Sequence, residues 1–328
     1  MAHYPRLFSE WSIRNCKIKN RVVFPPTCPT WVSDPWNGLF IDMATDYYEE
    51  RAKGGVGLII IGGTHVHPSS IMAPLLMPQL FDDRQIEPLS KIADAVHKHG
   101  CKLAIQLWHS GVRGFPGYKQ APDYDPDATW YTVSPSQVPL GEFPGASTPK
   151  ELDEDEIQEI IAAYGSAATR AMAAGLDGVE LHLSHGYLPW QFLSPLYNKR
   201  QDKWGGSYEN RLRFPLEVLQ SMRDAVGNDP FVGYRINSTS FWPGDLEIDD
   251  VRQIVPDIEN GADIDYVDVS AGVHHSFIHT PMEFEGGWER GYARQIREVS
   301  NKPVLAVGRI TSPDTAESLL EAGDADAI

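Results

Sequence analysis

The side chains with the clearest chemical potential are two histidines and a tyrosine that follow one short apolar run. His182, His185 and Tyr187 lie in residues 178–188, and the start of this segment reads as a buried strand. An imidazole exchanges hydrogen bonds near neutral pH, and a phenol is a weak acid that can give up a proton. Three such groups at the mouth of one strand suit the binding of a substrate oxygen and the delivery of a proton.

Two further polar side chains end other predicted strands. Gln106 carries a carboxamide, which offers a hydrogen-bond donor and an acceptor side by side. Arg235 follows the apolar residues 232–234, and a guanidinium buried there needs an anionic partner. Together they suggest a redox barrel built around a flat, electron-rich cofactor. The simpler alternatives are a loop-capping glutamine and an arginine paired with a carboxylate of the barrel.

A metal site is not predicted. His182 and His185 are one residue closer together than the two histidines of the helical zinc motif His-Glu-x-x-His, and no third ligand is evident. The three cysteines, Cys16, Cys28 and Cys101, are widely spaced and form no Cys-x-x-Cys pair. The sequence therefore predicts neither a zinc site nor a disulfide framework.

Composition excludes several classes of partner. The chain has 328 residues, of which 42% are hydrophobic and 22% charged, and its formal net charge is −17. Such an acidic protein does not suit nucleic acid or anionic membrane surfaces. The N-terminus has no signal-peptide pattern, and no stretch approaches 18 apolar residues. We expect a cytoplasmic protein that acts on a small molecule.

Apolar runs and helical patterns alternate along the chain, which predicts repeated βαβ units. The predicted strands are residues 21–24, 58–62, 102–107, 178–182, 231–236, 266–270, 303–307 and 325–328. The predicted helices are residues 87–99, 153–174, 208–226, 249–260, 289–299 and 312–322. Eight strands predict an α/β fold of the (β/α)8 TIM-barrel type, and the long connections 111–150 and 194–207 follow strand ends on its catalytic face.

The eighth predicted strand coincides with the end of the sequence. We therefore expect one barrel domain over residues 1–328, truncated within the eighth strand, with further domains following in the parent protein.

Several short motifs, in this order and spacing, resemble the Old Yellow Enzyme family of FMN-dependent oxidoreductases. They are KNRVVFPPTC (19–28), QLWHSG (106–111), HLSHGYL (182–188), QFLSP (191–195), NKR (198–200), GGS (205–207), ENR (209–211), Arg235 and VGR (307–309). The resemblance extends from Leu7 to the last residue. It implies a TIM barrel that holds FMN at its C-terminal face and takes electrons from NADH or NADPH.

The resemblance also implies roles for single residues. It places Pro26, Thr27, Cys28 and Gly63 beside the flavin, with Cys28 in contact but not covalently bonded. Gln106 holds the pyrimidine edge of the flavin, and Arg235 stabilises the negative charge of the reduced ring. Gly308 and Arg309, which follow a strand, form one half of a phosphate site. His182 and His185 bind a carbonyl or nitro oxygen of the substrate, and Tyr187 protonates carbon.

Two functions from this family and one from outside it stay open. The first is reduction of an activated C=C bond, and the second is oxidation of an amine as in trimethylamine dehydrogenase. An aromatic bowl from Trp242, His274, His275 and Trp288 would suit the amine, although trimethylamine dehydrogenase has a tyrosine at the position of His182. Large relatives of both kinds add a 4Fe-4S cluster and FAD after the barrel. The third is a flavin-free barrel. A homo-oligomer is left open.

Overall fold

A computed structural model describes residues 3–71, 77–114, 132–138, 148–273 and 285–328. The strands are β1 (Trp11–Ile13), β2 (Cys16–Ile18), β3 (Val23–Thr27), β4 (Leu58–His65), β5 (Lys102–Trp108), β6 (Val133–Ser134), β7 (Lys150–Glu151), β8 (Gly178–Leu183), β9 (Phe231–Asn237), β10 (Tyr266–Ser270) and β11 (Val304–Ala306). The helices are α1 (Asp42–Lys53), α2 (Ile86–His97), α3 (Glu154–Ala173), α4 (Leu188–Leu193), α5 (Tyr208–Val226), α6 (Ile248–Gly261), α7 (Arg290–Arg297) and α8 (Pro313–Ala322). Among the helices of the described ranges, none is long and apolar enough to cross a membrane.

Seven parallel strands form one curled sheet in the order β3, β4, β5, β8, β9, β10, β11. Beyond β11, Ala327 forms a parallel bridge with Leu305. Ile328 donates its N–H to Arg21 O at 2.9 Å and accepts from Val23 N at 2.7 Å. Backbone hydrogen bonds of the last two residues thus connect the edge at β11 with the edge at β3. The α/β fold with a parallel sheet is confirmed, while an eighth strand is present only as these bridging contacts, and its truncation stays a prediction.

The interior of the curled sheet changes from apolar to polar along the strands. At the N-terminal ends, a buried cluster combines side chains of six strands with the hairpin of β1 and β2, which lies below them. Its members include Trp11, Ile13, Ile18, Leu58, Ile60, Ala104, Phe231, Tyr266 and Leu305. Because side chains alternate along a strand, residues two or four positions further on face the same interior, and several of these are polar or charged. The polar layer therefore lies above an apolar floor.

The helices cover the outer face of the sheet, and the sequence pattern accounts for them. In α3, Asp153 accepts from the backbone of Glu156 and Glu156 accepts from that of Asp153, both at 3.0 Å, so the helix begins with a capping box. The side chains of Ile157, Ile160 and Tyr164 recur at helical spacing and are buried. This fixed layer of helices holds each strand end in place.

Most predicted elements are confirmed, with boundaries shifted by one to three residues. The strand Tyr266–Ser270 and the helix Tyr208–Val226 match their predicted bounds. The sequence analysis missed α1, whose apolar pattern is weak, and α4, which has only six residues. It also missed the N-terminal hairpin, since strands of three residues leave little periodic signal.

Gly233 offers a test of the interior packing. A methyl group at this position would lie 2.1 Å from Cε1 of Tyr266, whose ring crosses β9 there. We expect Gly233→Ala to lower the free energy of unfolding by about 1–3 kcal/mol, as over-packing of a core does, measured by urea unfolding. Gly291→Ala is the matched control, because nothing lies within 4 Å of the added methyl on α7. It should leave stability unchanged or higher; equal loss in both variants would contradict this packing.

Candidate active site

A buried chain of hydrogen bonds crosses three strands below the mouth of the barrel. Gln106 on β5 donates from Nε2 to Oε1 of Glu180 on β8 at 2.7 Å. The Tyr266 hydroxyl on β10 donates to Oε2 of Glu180 at 2.8 Å. Burial raises the pKa of Glu180 to about 8, and Asp268 adds to this rise, whereas Arg235 and the two hydrogen bonds oppose it. Gln106 is therefore held from the neighbouring strand by a carboxyl group that is itself anchored by Tyr266.

Arg235 lies beside two buried carboxyl groups. Its Nε is 3.5 Å from Oδ2 of Asp268 on β10, an ion pair that is too long for a good hydrogen bond. Burial raises the pKa of Asp268, and Arg235 opposes that rise. Burial also raises the pKa of Glu289 to about 8. Arg235 opposes this rise, and Asp268 adds to it. Arg235 is thus paired with a carboxylate of the barrel, which was the simpler alternative in the sequence analysis. This pairing leaves Nε of Arg235 and both oxygens of Asp268 without a hydrogen bond.

His182, His185 and Tyr187 lie together at the C-terminal end of β8 and in the turn that follows it. The ring centroids of His182 and His185 are 5.1 Å apart with planes at 88°, and those of His182 and Tyr187 are 4.9 Å apart. His182 Nδ1 is 2.9 Å from the Ser184 hydroxyl, and His185 Nε2 is 3.0 Å from that of Ser270. The turn that follows β8 is tight, since His185 adopts a φ of 57°.

Protonation states follow from the surroundings of these groups. Burial lowers the pKa of His182 well below its ordinary value, and the nearby His185 and Arg235 lower it further. Burial raises the pKa of Tyr187 to about 12, although Arg113 opposes the rise. At neutral pH the site therefore presents a neutral imidazole and a protonated phenol.

One wall of the mouth is built around Trp108 and Gly63. Trp108 stacks on His65 with centroids 4.5 Å apart and meets the edge of Tyr187 at 4.7 Å. A methyl group on Gly63 would lie 3.0 Å from Cys28 Sγ and 3.1 Å from Cε3 of Trp108. The missing side chain at Gly63 on β4 thus lets the side chains of Cys28, just after β3, and Trp108, at the end of β5, approach each other across β4.

Cys28 opens to this concave mouth, as does Thr27, while Pro26 is half-buried. The surrounding protein raises the pKa of the Cys28 thiol to about 12, and Arg235 opposes the rise. The residue is exposed by its accessible surface, whereas the protein atoms around the thiol still disfavour the charged thiolate. It is present as the neutral thiol at neutral pH.

Gly308 and Arg309 follow β11 in a conformation that extended strands do not adopt. Their φ angles are 108° and 54°, and a methyl group on Gly308 would lie 2.9 Å from Cβ of Glu289. Both residues line a cavity of about 460 Å³ that Asp268 also lines. Most of its other lining is apolar and includes Val23, Ile60 and Leu305.

The structure brings the predicted residues together in three adjoining groups. The mouth holds His182, His185 and Tyr187; the wall and floor hold Pro26, Thr27, Cys28, Gly63, Gln106 and Arg235; and the turn after β11 holds Gly308 and Arg309. His274 and His275 lie outside the described residues. Glu180, Asp268 and Glu289 were not predicted from the sequence. A signal existed for the first two, because each is a carboxyl residue inside a predicted strand, two positions from another residue of the interior face.

The unused polar atoms indicate what the site can hold. Both oxygens of Asp268, Nε of Arg235 and Oε2 of Glu289 are buried without a hydrogen-bond partner. Such groups cost free energy unless a ligand or water satisfies them. Together with the space left by the missing side chain at Gly63, they fit a ligand that carries a ring with polar edges, as FMN does. Within the described ranges, no group of three or more histidine, cysteine or acidic side chains is arranged to hold a metal ion.

Comparison with known proteins agrees with this geometry. Residues 6–328 match the model of the NADH:flavin oxidoreductase / NADH oxidase family. The chain belongs to that family. An NADH oxidase of Thermoanaerobacter brockii is 38% identical, with all of this chain and 49% of that protein covered. An N,N-dimethylglycine/sarcosine dehydrogenase of Chromohalobacter salexigens is 36% identical over 99% of this chain and 46% of that protein.

A smaller relative and two solved structures extend the comparison. An NADPH dehydrogenase of Clostridium acetobutylicum is 35% identical over 98% of this chain and 89% of that protein. A 2-naphthoyl-CoA reductase complex superposes with a TM-score of 0.89 at 29% identity, over 99% of this chain and 49% of that one. The old yellow enzyme from Trypanosoma cruzi superposes with a TM-score of 0.83 at 26% identity, over 99% of this chain and 88% of that one. The predicted Old Yellow Enzyme family is confirmed. The chain spans about half the length of the NADH oxidase and of the dimethylglycine/sarcosine dehydrogenase.

The raised pKa of Glu289 makes stability depend on pH. The folded protein keeps the proton up to about pH 8, whereas an unfolded glutamate loses it near its ordinary value of 4.5. The stabilising contribution of this proton is therefore complete below pH 4.5 and is lost as pH rises toward 8. We expect Glu289→Gln to become progressively more stable than the wild type over this window, by at most ~1.4 kcal/mol per pH unit, measured by urea unfolding of the cofactor-free protein.

Glu321→Gln, at an exposed position of α8, is the matched control and should follow the wild type. A stability difference for Glu289→Gln that does not change between pH 5 and pH 8 would show that this carboxyl does not titrate as described.

Proposed function

We propose that the protein is an FMN-dependent oxidoreductase in which NADH or NADPH provides the electrons and an activated C=C bond, of the enone or enoyl type, accepts them. The observation that carries this proposal is the meeting of His182, His185 and Tyr187 beside Arg235, which is the register partner of His182, and one level above Gln106. When bound, FMN would supply the hydride for the β-carbon. The side chains described above would bind the cofactor, bind the substrate and deliver the proton.

Gln106, Arg235 and the turn after β11 would hold the cofactor. Gln106 offers a donor and an acceptor to the pyrimidine edge, and Arg235 places a permanent positive charge at the same end. Gly308 and Arg309 would hold the phosphate, and Asp268 has two free acceptor oxygens beside the cavity that leads there. Pro26, Thr27, Cys28 and Gly63 would line the ring, with the neutral thiol of Cys28 in non-covalent contact.

His182 and His185 would bind the substrate oxygen. A neutral His182 that accepts a hydrogen bond from Ser184 at Nδ1 carries its own proton on Nε2, where it can donate to a carbonyl. Donors aimed at this oxygen stabilise the negative charge that develops as hydride adds to the β-carbon. The perpendicular rings let two donors converge on one oxygen from different directions.

Tyr187 would deliver the proton to the α-carbon. Its pKa of about 12 keeps the phenol protonated throughout the physiological range, so the donor form is always present. The ring is fixed between Trp108 and His182 by edge contacts with both. The hydroxyl is therefore held on the same wall as the two histidines.

Oxidation of a methylated amine is the second candidate. It is supported by the similarity to an N,N-dimethylglycine/sarcosine dehydrogenase and by the aromatic contact of Phe241 with Trp288, centroids 6.2 Å apart, beyond β9. The two histidines favour an oxygen-bearing substrate over a cationic one, because they offer donors to it. A 4Fe-4S cluster and FAD in a further segment of the parent protein, a cytoplasmic location and a homo-oligomer stay predictions.

Anaerobic stopped-flow measurements on the full-length protein distinguish the two functions. We expect NADPH or NADH to bleach the flavin absorbance and 2-cyclohexenone to restore it. Bleaching by dimethylglycine with release of formaldehyde, and no response to any enone or nitroalkene, would instead establish the amine reaction.

Tyr187→Phe tests proton delivery. Because general acid catalysis typically contributes 10²–10⁴-fold, we expect reoxidation by 2-cyclohexenone to slow by at least ~10²-fold while reduction by NAD(P)H keeps its rate. Tyr292→Phe, which removes a half-buried hydroxyl elsewhere on this face, should change neither step. An unchanged reoxidation rate in Tyr187→Phe would assign the proton to another donor.

A further inference from the structure

Glu180 has no assigned role, yet it is connected more directly to Gln106 than any other charged group is among the described residues. Gln106 and Glu180 are register partners on the neighbouring strands β5 and β8. Their side chains share one interior face, with Nε2 of Gln106 2.7 Å from Oε1 of Glu180. Both side chains are buried, so bulk water does not compete for this hydrogen bond.

The other oxygen of Glu180 is held by a hydrogen bond from Tyr266 that crosses the intervening strand β9. Tyr266 lies on β10, two strands away from Glu180, and the intervening β9 has Gly233 as the register partner of both residues. A side chain at Gly233 would overlap the Tyr266 ring, at 2.1 Å from Cε1. The glycine therefore opens the path by which the Tyr266 hydroxyl reaches Oε2 of Glu180 at 2.8 Å.

These contacts determine which end of the Gln106 carboxamide faces the mouth. The Tyr266 hydroxyl donates to one oxygen of Glu180, and the other oxygen remains an acceptor that only the amide nitrogen of Gln106 can satisfy. An ionised Glu180 can only accept, so its Oε1 requires the amide nitrogen of Gln106. When Glu180 is protonated on Oε2, the Tyr266 hydroxyl turns to accept that proton and Oε1 remains an acceptor. Gln106 then has its carbonyl oxygen and one N–H left for a ligand. The reversed amide would offer donors alone.

We propose that Glu180 is a positioning residue, which together with Tyr266 holds the Gln106 carboxamide so that it presents an acceptor beside a donor to the cofactor. The inference depends on the proposed binding of FMN at this mouth and adds to it the group that sets the polarity of the binding edge. A free carboxamide would distribute between its two orientations, and a ligand with an alternating edge would have to select one of them.

The test compares FMN with 3-methyl-FMN, in which a methyl group replaces the ring N3–H that an amide oxygen would accept. Fluorescence titration of the apoprotein gives the dissociation constant of each flavin. We expect the wild type to prefer FMN by about tenfold or more, the ratio that one buried hydrogen bond provides. In Glu180→Gln, whose side chain can satisfy either end of Gln106, the preference should fall to about twofold.

Three further variants separate positioning from general structural support. Tyr266→Phe, which keeps Glu180 but frees one oxygen, should give an intermediate preference. Gln106→Ala should abolish the preference, and Glu180→Gln should then add no further loss, since both changes remove the same contact. Glu321→Gln should match the wild type. A purely structural role for Glu180 would weaken both flavins equally and leave their ratio unchanged.

The outcomes also distinguish this inference from the proposed function. A wild-type protein that binds neither flavin would overturn both. A wild type that binds FMN but shows no preference over 3-methyl-FMN, or a Glu180→Gln variant that keeps the full preference, would overturn the inference alone. If Glu180→Gln does not fold, an unchanged preference in Tyr266→Phe overturns it as well.

Discussion

Arg235 and the carboxyl groups of Glu180, Asp268 and Glu289 lie together in the interior of the sheet, and the rest of the site depends on how their charges are shared. Each carboxyl has a raised pKa because it is buried, and Arg235 opposes the rise in all three. A single guanidinium cannot neutralise three carboxylates, and burial favours the protonated forms of these carboxyl groups. The polar layer is therefore not a set of complete ion pairs.

This arrangement explains why a reducible ring suits the position above it. A site in which both oxygens of Asp268 and Nε of Arg235 lack hydrogen bonds has binding capacity that the protein itself does not use. The guanidinium would favour negative charge on a bound ring, and carboxyl groups in their protonated forms would not repel it.

The sequence predicted the framework well because the framework depends on local periodicity. The unbroken apolar runs of β4, β5, β8 and β9 indicated strands buried on both faces, and Gln106 and Arg235 were identified because they end such runs. His182, His185 and Tyr187 were found for the same reason. Their meeting with Trp108 was not predictable, since it depends on the absent side chain of Gly63 and on the turn at His185.

The residues that were missed share a physical property. Glu180 and Asp268 lie inside strands, where a carboxylate contradicts the apolar pattern, and Glu289 lies just before a short helix. Pattern analysis treats such residues as interruptions, whereas their burial is informative because an isolated buried charge is so costly. Tyr266 illustrates the same limit from the other side: its ring belongs to the apolar floor, but its hydroxyl reaches the polar layer across Gly233. One side chain thus connects the packing that stabilises the barrel to the hydrogen bonds that prepare its mouth, and a change at Gly233 should disturb both together.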